Sequence, residues 1–182
     1  MTIKTIFLDR DGVINQEKKY LYKIEEFEFI EGVFDACLFF INEGFKIVVI
    51  TNQSGIGRGY YSKKNYLRLT KWMIRKFKSK QIDILDVFHC PHSPEFNCQC
   101  RKPKPGMLLN AKDIYNIDMK NSWLIGDKED DITAANNAGI SNTILVKSGH
   151  RIDETKTSAK YILPSIQDSP DIITKWLKNK LA

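Results

Sequence analysis

Short apolar runs alternate along the chain with longer segments in which apolar residues recur every three or four positions. The short runs are rich in β-branched and aromatic residues and are bounded by polar residues or glycine, which is typical of buried strands. They predict strands at Ile3 to Leu8, Phe45 to Ile50, Val87 to Cys90, Ser122 to Ile125, Thr143 to Val146 and Tyr161 to Leu163. The longer segments predict helices at Val33 to Asn42, Ser62 to Lys80, Met107 to Tyr115 and Asp130 to Asn137. A last helix is expected to open with Ser169 as its N-cap and Pro170 at its first position.

This alternation of strands and helices predicts an α/β protein with a single doubly wound parallel sheet. Because the strands lack a strict apolar–polar alternation, we expect helices to cover both faces of the sheet. The 182 residues suffice for one large core. No repeat or linker interrupts them, and the connection between the first two strands is too short for a large cap domain. We therefore expect one domain over residues 1–182.

The chain has 28 Lys and Arg against 22 Asp and Glu, a formal net charge of +6. The basic residues are spread in short groups, a pattern typical of solvated faces that steer an anionic small molecule rather than of a nucleic-acid footprint. No apolar run approaches the roughly 20 residues that span a bilayer, and the N-terminal apolar run is too short and too soon charged for a signal peptide. We expect a cytoplasmic, monomeric protein without a nucleic-acid or membrane partner.

Polar residues follow three of the predicted strands directly. They form the clusters Asp9-Arg10-Asp11-Gly12, Thr51-Asn52-Gln53-Ser54 and Gly126-Asp127-Lys128. The carboxyl ends of strands in a doubly wound sheet hold the ligand, so these clusters are expected to converge. Asp9 and Asp11 are two residues apart in extended chain and can face the same site. An Asp-x-Asp pair is a weak motif by itself, but its place after a buried strand favours a functional site.

This arrangement predicts a phosphomonoesterase. Hydrolysis of a phosphate monoester requires on the order of 20 kcal/mol of transition-state stabilisation, and a carboxylate nucleophile divides the reaction into two displacements. We assign Asp9 as the nucleophile and Asp11 as the general acid and then the general base. A carboxylate and a phosphate dianion repel each other, so we expect Mg²⁺ between them. Its predicted ligands are Asp9, Asp127 and Asp11, the last through its backbone carbonyl.

Further groups complete the predicted catalytic site. The hydroxyl of Thr51 and the backbone N–H of Asn52 are expected to bind phosphoryl oxygens, and Lys102 is expected to neutralise charge on the transferring group. Either Asp130 or Asp131 is expected to hold Lys102 or a metal-bound water, and the sequence leaves this choice open.

These residues resemble the four motifs of the haloacid dehalogenase (HAD) superfamily of phosphatases. The matching positions are Asp9-Arg10-Asp11-Gly12, Thr51, Lys102, and Gly126-Asp127 with Asp130-Asp131. The resemblance covers nearly the whole chain. It implies a Rossmann-like fold and an aspartyl-phosphate mechanism, in agreement with the argument from the residues.

A second constellation has the spacing of a metal site. Its members are Cys90, His92, Cys98 and Cys100. Three thiolates and one imidazole make a full tetrahedral set for Zn²⁺, with no position open for water, so the ion is expected to be structural. A disulfide would leave one of these cysteines unpaired and conflicts with a cytoplasmic location. Zinc is expected to pin the loop 90–100 and to fix Arg101 and Lys102. Cys37 is expected to be buried packing, and His150 has no predicted role.

Four stretches of the sequence resemble a narrower family, the bacterial D-glycero-D-manno-heptose 1,7-bisphosphate 7-phosphatases. They are Asp9 to Asn15, Thr51 to Gly59, Cys100 to Met107 and Gly126 to Lys128. The resemblance implies removal of the 7-phosphate on the way to a nucleotide-activated heptose for surface glycans. The substrate-binding residues that follow from these matches are Arg10, Glu17, Lys18, Lys19, Tyr20, Asn52, Gln53, Ser54, Arg58 and Arg101. A second phosphate favours a fixed guanidinium fork, which Arg101 can offer.

Other functions are compatible with parts of the sequence. Only five residues separate His92 from Cys98, and this short loop also resembles histidinol-phosphate phosphatases, although Ser54 to Gly59 matches the heptose pattern better. Lys19 stands where relatives often have Gly before the tyrosine. The short loop between His92 and Cys98 favours a substrate with the α-anomeric configuration at carbon 1. A nucleic-acid-end phosphatase and a non-catalytic, zinc-ordered nucleic-acid-binding domain are further alternatives. The latter requires a clustered basic face with stacking aromatic residues, which the sequence does not clearly show.

Overall fold

The strands form one parallel sheet in the computed structural model, which describes residues 2–181. The strands within these residues are β1 Thr5–Leu8, β2 Lys46–Asn52, β3 Ile84–Cys90, β4 Trp123–Gly126, β5 Asn142–Val146 and β6 Tyr161–Leu163. The helices are α1 Val33–Asn42, α2 Lys63–Lys78, α3 Gly106–Tyr115, α4 Glu129–Asn137 and α5 Ser169–Leu181. Short 3₁₀ turns lie at Ile24–Glu26, Pro94–Phe96, Met119–Asn121 and Ile166–Asp168. The predicted α/β class is confirmed.

The order of the strands in the sheet places β1 at its centre. The order is β3-β2-β1-β4-β5-β6, and all neighbours are parallel. Leu8 at the end of β1 is in register with Val49 of β2 and Ile125 of β4. The chain builds outward from β1 on one side and then crosses to β4, so the topological switch point lies between β1 and β4. Ligands of doubly wound sheets bind beside this point, at the carboxyl ends of the strands.

The sheet is buried on both faces, as the unbroken apolar strands predict. In β1, Ile6 and Leu8 pack into the layer that contains α1, α2 and α5. Phe7, between them in sequence, packs into the opposite layer with α3 and α4. Successive strand residues point to opposite faces, so each strand contributes to both cores. This two-sided packing fixes the strand ends, and thereby the residues that follow them.

The prediction for the start of the last helix is wrong in one respect. Ser169 has helical backbone angles and is the first residue of α5 rather than its N-cap. Its hydroxyl donates to the carbonyl of Ile166 at 2.6 Å, which continues the preceding 3₁₀ turn into the helix. The capping serine is Ser165, whose hydroxyl oxygen accepts a hydrogen bond from the backbone N–H of Gln167.

The basic residues are more clustered than their spread along the sequence indicates. Helix α2 carries no acidic residue and seven basic ones, namely Lys63, Lys64, Arg68, Lys71, Arg75, Lys76 and Lys78. All seven are exposed. Residues three or four apart share a helix face, which joins groups that are separate in the sequence. The clustered basic face judged to be unclear from the sequence is therefore present on α2.

Within the described residues, the connection between β1 and β2 contains one 3₁₀ turn and α1 and no cap domain. The predicted limits of the domain, Met1 and Ala182, lie outside the described residues. No helix in residues 2–181 combines the length and the hydropathy needed to cross a membrane.

Candidate active site

Three carboxylates meet at the carboxyl ends of β1 and β4. Asp9 directly follows β1, Asp127 directly follows β4, and Asp131 lies in the first turn of α4. One carboxylate oxygen of each lies within 4.8 Å of the others. Asp127 is fully buried, and the side chains of Asp131 and Asp9 are only 2% and 12% exposed. Buried charges of one sign repel each other strongly, so this cluster requires cations.

Lys102 supplies one of these cations. Its Nζ lies 2.8 Å from Oδ1 of Asp9 and 2.5 Å from Oδ1 of Asp131, and it donates to the carbonyl of Ile50 at 2.8 Å. Burial lowers the pKa of Lys102, but the carboxylates of Asp131 and Asp9 outweigh this effect and the pKa is raised. Burial also raises the pKa of Asp9 well above its ordinary value, which Lys102 opposes and the nearby carboxylates reinforce. One ammonium group does not balance three carboxylates.

Asp127 offers an oxygen that fits a metal ion. Its Oδ2 accepts two hydrogen bonds from His150, one from the backbone N–H at 2.9 Å and one from the ring Nδ1 at 2.6 Å. Its Oδ1 is buried and has no hydrogen-bond partner among the residues that the structure describes. A buried carboxylate oxygen without a partner is costly unless a cation occupies the space beside it. The all-oxygen character of the cluster suits Mg²⁺.

The choice between Asp130 and Asp131 is resolved by their positions. Asp131 holds Lys102 through Oδ1, while its Oδ2 accepts hydrogen bonds from the backbone N–H groups of Asp127 and Lys128 at 3.2 and 3.1 Å. Asp130 is exposed and lines the cleft above the site. Both oxygens of Asp131 are therefore engaged in holding Lys102 and the turn that carries Asp127.

Asp11 is held separately from the three buried carboxylates. Arg10 donates to it from Nε and Nη2, with distances of 2.9 to 3.2 Å. The side-chain amides of Asn15 and Gln53 each donate to it at 3.0 Å. Arg10 itself is buried and also donates to the carbonyl of Leu21. Donors on several sides fix the orientation of the Asp11 carboxyl group at the cleft wall.

The last residues of β2 and those that follow it form a hydrogen-bonded support for the site. Gln53 Nε2 donates to Thr51 Oγ1 at 2.8 Å, and Tyr61 donates to Gln53 Oε1 at 2.6 Å. Burial raises the pKa of Tyr61 to about 12, so its hydroxyl remains a neutral donor. The side chain of Asn52 makes two hydrogen bonds to the backbone of Lys102. It donates to the carbonyl and accepts from the N–H, both at 3.1 Å. These contacts position neighbouring residues.

A polar cleft of about 400 Å³ opens above these groups. Of the residues predicted from the sequence, its lining includes Asp9, Arg10, Asp11, Glu17, Lys18, Lys19, Tyr20, Asn52, Gln53, Ser54, Arg58, Arg101 and Lys102. Thr51 and Asp127 are buried behind this lining. Lys18 is also tied to the outer wall, where its Nζ donates to Glu28 at 2.6 Å. Tyr20 has a positive φ of 58° and packs edge-on against Tyr60.

The predicted zinc ligands come together beside the cleft. The Sγ atoms of Cys90, Cys98 and Cys100 lie 3.2 to 3.5 Å apart, and Nδ1 of His92 lies 3.3 Å from Cys100 and 3.6 Å from Cys90. Ligands on a tetrahedral zinc ion with bonds of about 2.3 Å are separated by about 3.7 Å. A disulfide requires about 2.05 Å, which these distances exclude. This cluster could therefore hold a metal, whereas Cys37 is free and buried in the core.

The loop 90–100, here called the metal-ligand loop, packs against the segment that follows β2. The backbone N–H of Gly57 donates to the carbonyl of Pro91 at 2.8 Å. A Cβ atom at position 57 would lie 2.8 Å from that same carbonyl oxygen, so the approach requires glycine. Arg58 reaches Glu95 across this contact at 3.4 Å. Pro94 of the loop 90–100 lines the cleft, so this loop contributes to the cleft wall.

Among the residues near the site that were not predicted are His150 and Tyr61. His150 contacts Asp127 and lines the cleft, and Tyr61 supports Gln53. A signal existed for His150, because Lys147 to His150 is a polar cluster directly after β5, as the other site clusters follow their strands. Tyr61 carried no such signal, since an aromatic residue before a helix is ordinarily packing.

Comparisons with known proteins agree with this geometry. A profile of the HAD-hydrolase-like family matches residues 99–169. The chain is 49% identical over 164 residues to a D-glycero-α-D-manno-heptose-1,7-bisphosphate 7-phosphatase of Photorhabdus laumondii, covering 86% of this chain and 90% of that protein. It is 44% identical over 183 residues to a D-glycero-β-D-manno-heptose-1,7-bisphosphate 7-phosphatase of Pasteurella multocida, covering 97% of this chain and 99% of that protein.

A solved structure extends the similarity to the fold. The crystal structure of D,D-heptose 1,7-bisphosphate phosphatase from B. bronchiseptica, complexed with magnesium and phosphate, superposes with a TM-score of 0.84 at 27% identity. The match covers 96% of this chain and 99% of that one. Fold and site define the class as a HAD-like phosphoric monoester hydrolase. The chain belongs to the heptose-1,7-bisphosphate 7-phosphatase family.

Proposed function

We propose that this protein hydrolyses the 7-phosphate of D-glycero-D-manno-heptose 1,7-bisphosphate through an aspartyl-phosphate on Asp9. The observation that carries the proposal is the position of the Asp9 carboxylate. It lines a polar cleft, lies 2.8 Å from the buried ammonium group of Lys102, and has a carboxylate oxygen within 4.8 Å of one of Asp127, whose Oδ1 has no hydrogen-bond partner among the described residues. The names of the relatives support the choice of substrate.

In the first half of the reaction, a carboxylate oxygen of Asp9 attacks phosphorus. The bond between phosphorus and the sugar oxygen breaks, and Asp11 gives its proton to that oxygen. Lys102 stabilises negative charge on the transferring phosphoryl group. The hydrogen bonds that Arg10, Asn15 and Gln53 make to Asp11 hold its carboxyl group at the cleft wall, in reach of a leaving group.

In the second half, water attacks the phosphorus of the aspartyl-phosphate. Asp11 accepts a proton from this water, the bond between phosphorus and Asp9 breaks, and inorganic phosphate leaves. The product is heptose 1-phosphate with a free hydroxyl at carbon 7. Thr51 is proposed to assist by donating to a phosphoryl oxygen, a role compatible with its hydroxyl accepting from Gln53.

The carboxylates of Asp9 and Asp127 and the backbone carbonyl of Asp11 are proposed to hold Mg²⁺. The ion would neutralise the repulsion between the nucleophile and the phosphate dianion. The deficit of positive charge in the cluster and the Asp127 Oδ1, which accepts no hydrogen bond from the described residues, support this assignment. Asp131 stays with Lys102, because both of its oxygens are already occupied.

The second phosphate is proposed to bind Arg101. One guanidinium nitrogen of Arg101, Nη1, is buried without a hydrogen-bond partner among the described residues, and the side chain lines the cleft. An anion that accepts two parallel hydrogen bonds would satisfy it. The other predicted contacts, Glu17, Lys18, Lys19, Tyr20, Ser54 and Arg58, surround the same mouth.

The cluster of Cys90, His92, Cys98 and Cys100 is proposed to bind a structural zinc ion. Four protein ligands would complete a tetrahedral coordination sphere and leave no position for substrate or water. The ion would fix the loop on which Arg101 and Lys102 follow. A reducing compartment is proposed on the same grounds, since the thiols must stay reduced to bind zinc. We also propose that the protein acts as a monomer.

We infer a preference for the α-anomer at carbon 1. The short loop between His92 and Cys98 supports it, and so do two relatives named for the α-anomer, which are 49% identical over 164 residues and 50% identical over 146 residues. The test is a panel of α- and β-heptose 1,7-bisphosphates, histidinol phosphate and a 3′-phosphorylated oligonucleotide, each with Mg²⁺. We expect the α-bisphosphate to lead in kcat/KM. A ten-fold advantage for histidinol phosphate, about 1.4 kcal/mol in the transition state, would refute the heptose assignment.

The oligonucleotide in this panel also addresses the basic face of α2. Release of phosphate from it in preference to the sugar bisphosphates would favour the nucleic-acid-end alternative. A salt-dependent complex with DNA or RNA and no phosphate release from any substrate would favour the non-catalytic alternative. The catalytic proposal expects phosphate release that Asp9→Asn abolishes.

A further inference from the structure

The loop that follows β5 makes a set of contacts that the proposed reaction does not use. We define the 148–150 loop as Ser148, Gly149 and His150. Ser148 Oγ donates to the carbonyl of Gly12 at 2.6 Å, which ties the loop to the turn after the nucleophile. His150 donates to Oδ2 of Asp127 from both its backbone and its ring. The loop therefore joins the segments that carry two of the proposed magnesium ligands.

The ring contact of His150 has a defined donor. An ionised carboxylate only accepts hydrogen bonds, so the hydrogen lies on Nδ1 of His150, at 2.6 Å from Asp127 Oδ2. The other ring nitrogen, Nε2, lies 3.8 Å from Glu17, beyond hydrogen-bond distance. Nδ1 is thus the atom through which the ring acts on the site.

The backbone N–H and the ring Nδ1 of His150 both bind the same oxygen of Asp127, so its two oxygens have different surroundings. Oδ2 is saturated by His150, whereas Oδ1 is buried and unpartnered among the described residues. A carboxylate held at one oxygen presents the other in a fixed direction. Metal ligands are commonly oriented in this way by groups that do not touch the metal, and loss of such a group typically weakens metal binding about 10- to 100-fold.

Two glycines pack closely against the carboxylate of Asp127 and restrict its position. A Cβ atom added at Gly149 would lie 2.1 Å from Asp127 Oδ2, and one added at Gly12 would lie 2.4 Å from it. Both glycines let the backbone approach the carboxylate closely. The 148–150 loop and the turn that contains Gly12 therefore both pack closely against this side chain.

We propose that His150 is a positioning residue that orients Asp127 for Mg²⁺ and thereby sets the affinity of the enzyme for the ion. This inference rests on the proposed function, because it takes Asp127 to be a magnesium ligand. His150 does not touch substrate in this proposal. Its loss is expected to weaken metal binding while leaving turnover at saturating Mg²⁺ within a few-fold of the original value.

The test uses two substitutions that separate the ring nitrogens. In His150→Asn the side-chain amide nitrogen can occupy the place of Nδ1, whereas in His150→Gln it lies nearer the place of Nε2. Binding of Mg²⁺ to substrate-free protein is measured by calorimetry, and binding of Mn²⁺ by electron paramagnetic resonance. We expect His150→Ala and His150→Gln to raise the Kd at least about ten-fold and His150→Asn to stay within about three-fold.

Matched controls separate the effect of the Nδ1 hydrogen bond from effects on folding or on the loop as a whole. Arg151→Ala changes an exposed neighbour in the chain and is expected to leave the Kd unchanged. Equal melting temperatures of the Asn and Gln variants would exclude a difference in folding. If His150→Ala binds Mg²⁺ as tightly as the original protein, or if Asn and Gln weaken it equally, the inference is wrong. If the original protein shows no Mg²⁺ binding that Asp127→Asn removes, the proposed metal site itself fails.

Discussion

Two clusters of potential metal ligands lie at the same edge of the sheet and are built in opposite ways. The carboxylate cluster takes Asp9, Asp127 and Asp131 from β1, β4 and α4, elements that the parallel register and two core layers hold in place. The Cys/His cluster takes all of its ligands from the loop 90–100, of which only Cys90 belongs to a strand. The core of the protein fixes the first cluster, and a loop carries the second.

This difference separates what a metal ion would do in each place. The carboxylate cluster already contains one cation, because Lys102 lies against Asp9 and Asp131, and elements of the core hold its members, so we expect an added ion to balance its charge rather than to fold it. The loop 90–100 has little core of its own, and Phe96 at its tip is 67% exposed. We therefore expect loss of metal to stop the chemistry at the first cluster and to loosen the structure at the second.

The largest effect is expected from Asp9→Asn, which removes the nucleophile but keeps its shape. We expect kcat to fall by about 10⁴-fold or more, because no other group can form the covalent intermediate. The melting temperature should stay the same or rise, since the change removes one of three clustered negative charges. Phosphate release and thermal unfolding are the measurements. The matched control is Asp113→Asn on the exposed face of α3, and substantial activity in the Asp9 variant would indicate direct attack by water.

Lys102→Met tests whether the ammonium group of Lys102 balances the charge of the carboxylate cluster. The substitution should affect both chemistry and stability. Removing one partner of a buried ion pair destabilises a protein by about 3–5 kcal/mol, because the remaining charges are left unpaired. We expect a loss of this size in denaturant unfolding without Mg²⁺, together with a fall in kcat of about 10²- to 10³-fold. Lys112→Met on α3 is the exposed control. A Lys102 variant as stable as the original would mean that the cluster does not depend on this ammonium group.

The two clusters also differ in how far the sequence predicts them. The Cys/His set is local, so spacing alone identified all of its members, and the distances between them agree with one site. The carboxylate set required the argument that strand ends converge, which gave Asp9 and Asp127. It could not choose between Asp130 and Asp131, because that choice depends on which face of the first helical turn meets Lys102.

Residues that act across neighbouring strands were the least accessible to prediction. His150 follows β5, and only the order of the strands shows that the end of β5 lies beside Asp127. The basic face of α2 was missed for a related reason, since its lysines and arginines are separate in sequence and adjacent only on the helix surface. Predicting these residues would have required the order of the strands in the sheet and the faces of the helices, which sequence motifs do not provide.

Removal of the proposed zinc ion should lower stability and substrate affinity more than the rate of chemistry. We expect about one zinc per purified chain and, after chelation or in Cys98→Ser, a melting temperature lower by at least about 5 °C. With Mg²⁺ restored, we expect KM to rise about ten-fold and kcat to change less. Arg101 follows the loop, whereas Asp9 lies outside it and Lys102 is also held by Asp131 and Asn52. The control is Cys37→Ala, which should keep the zinc. A chelated protein with unchanged melting temperature and KM would show that the loop orders itself.

The smallest effect concerns the contact between the two loops that wall the cleft. Arg58 was predicted to bind substrate, yet it also pairs with Glu95 of the metal-ligand loop at 3.4 Å, and both side chains are partly or largely exposed. Exposed ion pairs contribute little to stability, so neither Arg58→Ala nor Glu95→Ala should shift the melting temperature measurably. If Arg58 binds the phosphorylated sugar, its loss should raise KM a few-fold, whereas loss of Glu95 frees the guanidinium group and should leave KM unchanged or lower it. If Arg58 acts only by joining the loops, the two variants should raise KM equally, since either one breaks the same contact.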